Sequence, residues 1–221
     1  MQEIVDWLNG IIWSNALIFL CLGTGLFFSI LTRFVQVRLF KEMIRLLFSS
    51  KESERGISSF QALSVSLSGR VGTGNIAGVA AAIGFGGPGA VFWMWIVAFL
   101  GASTAYVESA LGQIYKEEDE GQYRGGPAYY IEKAMGQKWY AWIFAITTII
   151  ATGLLLPGVQ SNSIGNAAEL AFGGETLINF FGDSISATKM ATAVIVVTVL
   201  GFIIFGGVKR IAHFTQIVVP F

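Results

Sequence analysis

Between Asp6 and Arg33 no residue carries a charge, and the same holds from Val71 to Val107, from Trp139 to Ala168 and from Met190 to Val208. Apolar runs of this kind match or exceed the about 20 residues that cross the hydrocarbon core of a bilayer as a helix. Lipid offers a backbone no water to bond to, so a spanning helix must satisfy its own N–H and C=O groups. Composition agrees: 13% of the 221 residues are charged, against about 25% in soluble domains. A net charge of zero removes the basic field that nucleic-acid binding requires, so no nucleic-acid partner is expected. The single cysteine, Cys21, has no intrachain partner, and one Cys with one His argues against a metal site. Glu3 and Asp6, rather than a basic segment, precede the first run, which therefore reads as a retained helix and not a cleaved signal.

The chain reads as an all-α membrane protein forming a single transmembrane domain over 1–221. Spans are expected at about 11–32, 57–84, 90–114, 139–168 and 188–207, with a partial helix at 211–221. The run 139–168 is longer than one perpendicular span and is expected to be tilted, or bent near Pro157-Gly158. Segment 38–48 sets Arg38, Lys41, Glu42 and Arg45 against Leu39, Phe40, Met43, Ile44 and Leu47, the pattern of an amphipathic helix lying in the membrane interface. The stretch 116–138 reads as an aqueous loop, and 173–186 as a polar segment with a short turn. Lys and Arg gather in 33–56, in 116–138 and at 209–210, and are missing from 1–10, 85–89 and 159–187. Basic loops stay in the cytoplasm, which places the N-terminus outside the cell membrane.

One span is expected to be interrupted. Residues 69–78 read Gly-Arg-Val-Gly-Thr-Gly-Asn-Ile-Ala-Gly, and each glycine in a helix interior costs about 1 kcal/mol relative to alanine. The helix 57–84 is therefore expected to break near 72–75. A break at membrane depth is tolerated only where it is buried in protein or lines a cavity. Gly72 to Ala77 also matches the dinucleotide fingerprint, but no acidic residue lies near position 95 and the flanks are apolar. Gly74 and Gly78 form a G-x-x-x-G pair, the pattern of a close helix-packing face. On that alternative the chain is a non-transporting helix-packing subunit or an inert fragment. A break read as a transport site has a specific chemistry. Its following half-helix offers N–H groups and a positive dipole to an anion such as a carboxylate. Its preceding half-helix offers carbonyls to a sodium ion, and the Thr73 and Asn75 side chains can add oxygens. No Asp, Glu or His lies at the break, which favours sodium over proton coupling. Arg70 sits within this span, where an isolated charge costs at least about 2.5 kcal/mol and calls for a partner or water.

Three blocks of the sequence resemble the alanine/glycine:cation symporter family: Val71 to Gly78, Gly86 to Trp95, and Gly125-Gly126-Pro127-Ala128-Tyr129-Tyr130. The resemblance runs over essentially the whole chain. It implies a LeuT-type transporter fold, with an extra first helix before two inverted five-helix repeats, and sodium-coupled import of alanine or glycine without covalent catalysis. By position it implies substrate contacts from Thr73, Gly74 and Gln160, with Gly72 and Asn75 as sodium-binding or site-shaping residues. From the residues alone, Gln160 beside Pro157-Gly158 could equally satisfy backbone that the proline frees. Family members carry a complete second repeat, so the chain is expected to be a fragment truncated after the start of its sixth helix and inactive alone. The bilayer, a small neutral amino acid and sodium are the partners this implies, in a bacterial or archaeal plasma membrane.

Overall fold

The computed structural model describes residues 2–49, 56–119, 121–174, 177–180 and 183–220. Lys51 and Arg55, counted above among the loop cations, lie outside them. The chain opens with helices α1 (Gln2–Ile12), α2 (Asn15–Leu31), α3 (Val35–Arg38) and α4 (Phe40–Phe48). Helix α5 (Ser59–Arg70) is followed by a wide π turn at Gly74–Gly78, then by α6 (Val79–Gly86) and α7 (Gly89–Ile114). A hairpin of β1 (Glu117–Asp119) and β2 (Gln122–Arg124) leads to α8 (Pro127–Met135) and α9 (Lys138–Ile150). A second π turn at Ala151–Leu155 joins α9 to α10 (Leu156–Phe172). The hairpin β3 (Leu177–Phe180)–β4 (Asp183–Ser186), α11 (Ala187–Ile204) and α12 (Gly207–Val218) complete the order.

Among the described residues, four helical stretches are long and apolar enough to cross a membrane: Gln2–Leu31, Gly89–Ile114, Lys138–Phe172 and Ala187–Ile204. The architecture is that of an all-α membrane protein. Both hairpins fall in stretches expected to be loop or turn; β1–β2 is polar, while β3–β4 sets Ile178 opposite Ile185. Segment 38–48 lies in two short helices, α3 and α4, and the chain re-enters helix at Val35 after Arg33 and Phe34 adopt left-handed backbone (φ 53 and 51). In the long span the irregularity lies at Ala151–Leu155, upstream of Pro157. A proline clashes with the carbonyl four residues before it, so the disturbance appears in the preceding turn.

Most large apolar side chains are exposed or half-buried; among the described residues the buried apolar ones are Val35, Ile131, Ala141 and Ala212, beside the buried hydroxyl residues Ser29, Ser64, Ser103, Ser186 and Thr215. That distribution suits lipid, which drives no apolar side chain inward and leaves packing to small residues and interhelical hydrogen bonds. The chain divides into two compact units, 1–49 with 80–141, and 50–79 with 142–221. In the first, α2 packs on α7. Ser103 Oγ donates to the Gly25 carbonyl at 2.9 Å and Ser29 Oγ to Ser103 Oγ at 3.0 Å. Gln36 Nε2 then donates to Ser29 Oγ at 3.1 Å, tying α3 to the helix pair. On α8 of this unit, the Tyr130 phenol is held above its ordinary pKa, first by burial and then by the Glu108 carboxylate.

In the second unit α10 packs on α11 and α5 on α12. Gly165 of α10 is buried, with the Lys189 stem beside it, and Lys189 Nζ reaches Glu169 at 2.8 Å. Ser186 caps α11 by accepting from the Lys189 N–H at 3.2 Å. Ser64, Ala212 and Thr215 are the buried residues of α5 and α12.

A Cβ on Gly25 would lie 2.9 Å from Leu100 Cβ and 3.2 Å from its carbonyl carbon and oxygen. Gly25→Ala is therefore expected to destabilise the α2–α7 pair by about 1–3 kcal/mol in detergent unfolding followed by tryptophan fluorescence. Gly101→Ala, whose Cβ meets nothing within 4 Å, is expected to be neutral or mildly stabilising.

Candidate functional site: the broken helix and Gln160

Helix α5 starts on a capping box. Ser58 Oγ accepts from the Gln61 N–H at 3.2 Å and Gln61 Oε1 accepts from the Ser58 N–H at 3.0 Å. The helix ends at Arg70, where a cation suits the negative end of the helix dipole. Val71 is extended, with φ −96 and ψ 115, and its N–H makes a bond back to the Leu67 carbonyl at 2.8 Å. Helical structure resumes at Thr73 and passes through the π turn Gly74–Gly78 into α6. The interruption is thus one extended residue and one glycine, Val71-Gly72, set between two rods.

Two side chains define this break. Asn75 Oδ1 accepts from the Gly72 N–H at 2.9 Å, while the Asn75 N–H donates to the Gly72 carbonyl at 3.0 Å. The pair works as half of a capping box: the side chain three residues in reaches back to the first N–H. Asn75 therefore shapes the break through its own backbone. From α10, Gln160 Oε1 accepts from the Thr73 N–H at 3.1 Å. A Cβ on Gly72 would stand 2.5 Å from Gln160 Nε2, so the Gln160 amide lies across the break with its oxygen on Thr73 and its nitrogen over Gly72. Glycine at 72 is what admits that amide.

Gly74 and Gly78 are different. A Cβ on either meets no atom within 4 Å. A close helix-packing face would set a neighbour against both, and among the described residues none is there. The segment is preceded by a helix rather than the strand a dinucleotide fold requires. Residues 71–78 contain no ionisable side chain. What they present is backbone amide, hydroxyl and carboxamide groups, able to orient a small charged or zwitterionic molecule through dipoles and not to transfer protons to it.

Thr73, Gly72, Asn75 and Gln160 are thus brought together within one unit, and Gly74 borders open space beside them. The extended conformation of Val71 carries no sequence signature of its own. The π turn before Gln160 does have one, in Pro157 at the start of α10.

The family model described as the sodium:alanine symporter family matches residues 1–221. The chain belongs to the sodium:alanine symporter family. It is 58% identical over 221 residues to a Bacillus subtilis protein, YrbD, that bears the provisional name of sodium/proton-dependent alanine carrier, covering 100% of this chain and 43% of that protein. It is 43% identical over 221 residues to GlnT of the same organism, provisionally named a sodium/glutamine symporter, covering 99% and 44%. With a sodium/proton-dependent alanine carrier of Bacillus sp. (strain PS3) it shares 45% identity over 179 residues, covering 81% and 37%. The chain spans less than half the length of the curated relatives it matches. The sodium:alanine symporter family is one of transporters and not enzymes, and its membership, with the four apolar spans, makes this a multi-pass membrane protein.

Gly72→Ala is expected to push Gln160 off Thr73. Amide hydrogen exchange at Thr73 should then speed up about tenfold, the equivalent of one lost hydrogen bond. Gly74→Ala, with open space around its Cβ, is expected to leave that amide unchanged.

Proposed function

We propose that this chain supplies the broken-helix half of a sodium-coupled symporter for small neutral amino acids, alanine or glycine, moving them into the cell. The observation that carries the reading is the Gln160 carboxamide lying on the Thr73 N–H at a helix break that bears no ionisable group. A zwitterion needs donors for its carboxylate and acceptors for its ammonium. The N-terminal end of the second half-helix, at Gly74, favours negative charge, while the Thr73 N–H is held by Gln160. The carbonyl end of α5, with Thr73 Oγ1 and the Gln160 amide oxygen, gives acceptors to the ammonium and to sodium. Gly74 leaves open space for a small side chain against the backbone. The names of the relatives pair sodium or protons with alanine, and sodium with glutamine. The lack of a protonatable side chain at the break supports sodium at this spot.

In this reading the fold is LeuT-type, with the N-terminus outside and the basic loops at 33–56 and 116–138 in the cytoplasm. Sodium entry drives uptake, and the membrane potential adds about 2.3 kcal/mol per charge per 100 mV. The two ends of the broken helix and the helix bearing Gln160 move against the rest of the carrier to alternate access. Gly72 and Asn75 act on the shape of the break, with Asn75 holding it open for substrate and ion.

The test uses a carrier of the relatives' full length that contains this region, reconstituted in vesicles with labelled alanine and an imposed sodium gradient. Gly74→Val fills the open space beside the break, and Thr73→Val removes a hydroxyl at constant volume. Both are expected to abolish sodium-driven uptake while the protein still reaches the membrane. Uptake at the parent rate in both would defeat the assignment of the site.

A further inference from the structure

The helix that carries Gln160 is not one regular rod. Helix α9 ends at Ile150, the wide turn occupies Ala151–Leu155, and α10 begins at Leu156 with Pro157 as its second residue. The Leu156 N–H donates to the Ala151 carbonyl, five residues back and not four. A turn of this kind holds one residue more than an α turn. Successive residues of an α-helix are about 100° apart, so one extra residue swings everything after it by about 100° against everything before it.

The cause is local. Pro157 has no N–H for the Gly153 carbonyl, and in a regular helix its ring would strike that carbonyl. Widening the turn moves the carbonyl aside. Gly153 lies inside the turn and contributes no side chain to resist it. The consequence is at Gln160, one turn beyond the proline. Its side chain points at Thr73 because α10 carries the offset that the turn sets against α9.

We propose that Pro157 and the Ala151–Leu155 turn are positioning elements for the substrate site: they set the rotational phase of α10 that aims Gln160 at the broken helix. With the turn annealed into regular α-helix, the residue brought to the azimuth and height of Gln160 is Val159, an apolar side chain that cannot bond Thr73. The inference rests on the reading of Gln160 as a substrate contact, and the two fail in different ways.

The experiment compares labelled-alanine uptake in the full-length carrier with Gln160→Ala, with Gly153→Ala/Pro157→Ala, and with Gly153→Ala/Pro157→Ala/Val159→Gln. Gln160→Ala and the double variant are each expected to raise the half-saturating alanine concentration about tenfold with little change in maximal rate, as for one lost hydrogen bond. The triple variant, which returns a glutamine to the vacated phase, is expected to recover most of that loss. A purely structural proline would not be rescued by moving a glutamine one position. Normal uptake in Gln160→Ala would overturn the site reading itself. A defect in Gln160→Ala with none in the double variant, or a double-variant defect that Val159→Gln leaves untouched, would overturn the phase-setting role. If the double variant fails to reach the membrane, Pro157→Ala alone is probed by thiol cross-linking in a Cys21→Ser background. Thr73→Cys should join Gln160→Cys with Pro157 present and shift toward Val159→Cys without it. An unchanged Gln160→Cys preference would overturn the proposal.

Discussion

Backbone hydrogen bonding in lipid is the constraint from which the rest of the structure follows. An N–H or C=O left without a partner there costs several kcal/mol. A chain that interrupts a spanning helix must therefore bring partners to the interruption. At Val71-Gly72 those partners are two carboxamides. Asn75 takes the Gly72 N–H and Gln160 takes the Thr73 N–H. One is local and holds the shape of the break. The other comes from 87 residues away and ties the broken helix to a second helix. The same economy of small groups appears at Ser29, Ser103 and Gly25, where buried hydroxyls join two helices in which no large apolar side chain is fully buried.

This economy explains why glycine recurs with separate duties. Gly72 admits the Gln160 amide, Gly25 admits Leu100, and Gly165 lies beneath the stem of Lys189. A Cβ on Gly74 would meet no atom of the described residues within 4 Å. The two π turns sit on the two helices that the Thr73–Gln160 bond joins, one just after the break and one just before Gln160. Such turns are frequent at functional sites because they re-aim side chains without ending a helix.

Much of the architecture was legible because the signal is one-dimensional. Charge-free runs declare spanning helices whatever packs beside them, and the family is written in the blocks at Val71 to Gly78 and Gly86 to Trp95. The hairpins at 117–124 and 177–186 were not legible, since strands of three or four residues are too short to show a helical or an alternating apolar pattern. The restart of helix at Val35 hung on left-handed backbone at Arg33 and Phe34, two residue types that give no hint of it. At the site, the glycines pointed to a break, but Asn75's bond to Gly72 and the fit of Gln160 over Gly72 depend on three-dimensional approach. Pro157 was visible as a source of irregularity, though its effect fell in the turn before it and not at the proline itself.

The central claim is that the half-helix start at Thr73 and Gly74, where Gln160 holds the Thr73 N–H, receives the amino acid. It is tested most directly by the amide ¹⁵N resonances of those two residues in the full-length carrier in bilayers, with sodium present and alanine added. The account predicts that Thr73 and Gly74 shift saturably with alanine while Gly101, on α7, stays fixed. Transport-competent protein whose Thr73 and Gly74 resonances ignore saturating alanine would contradict it.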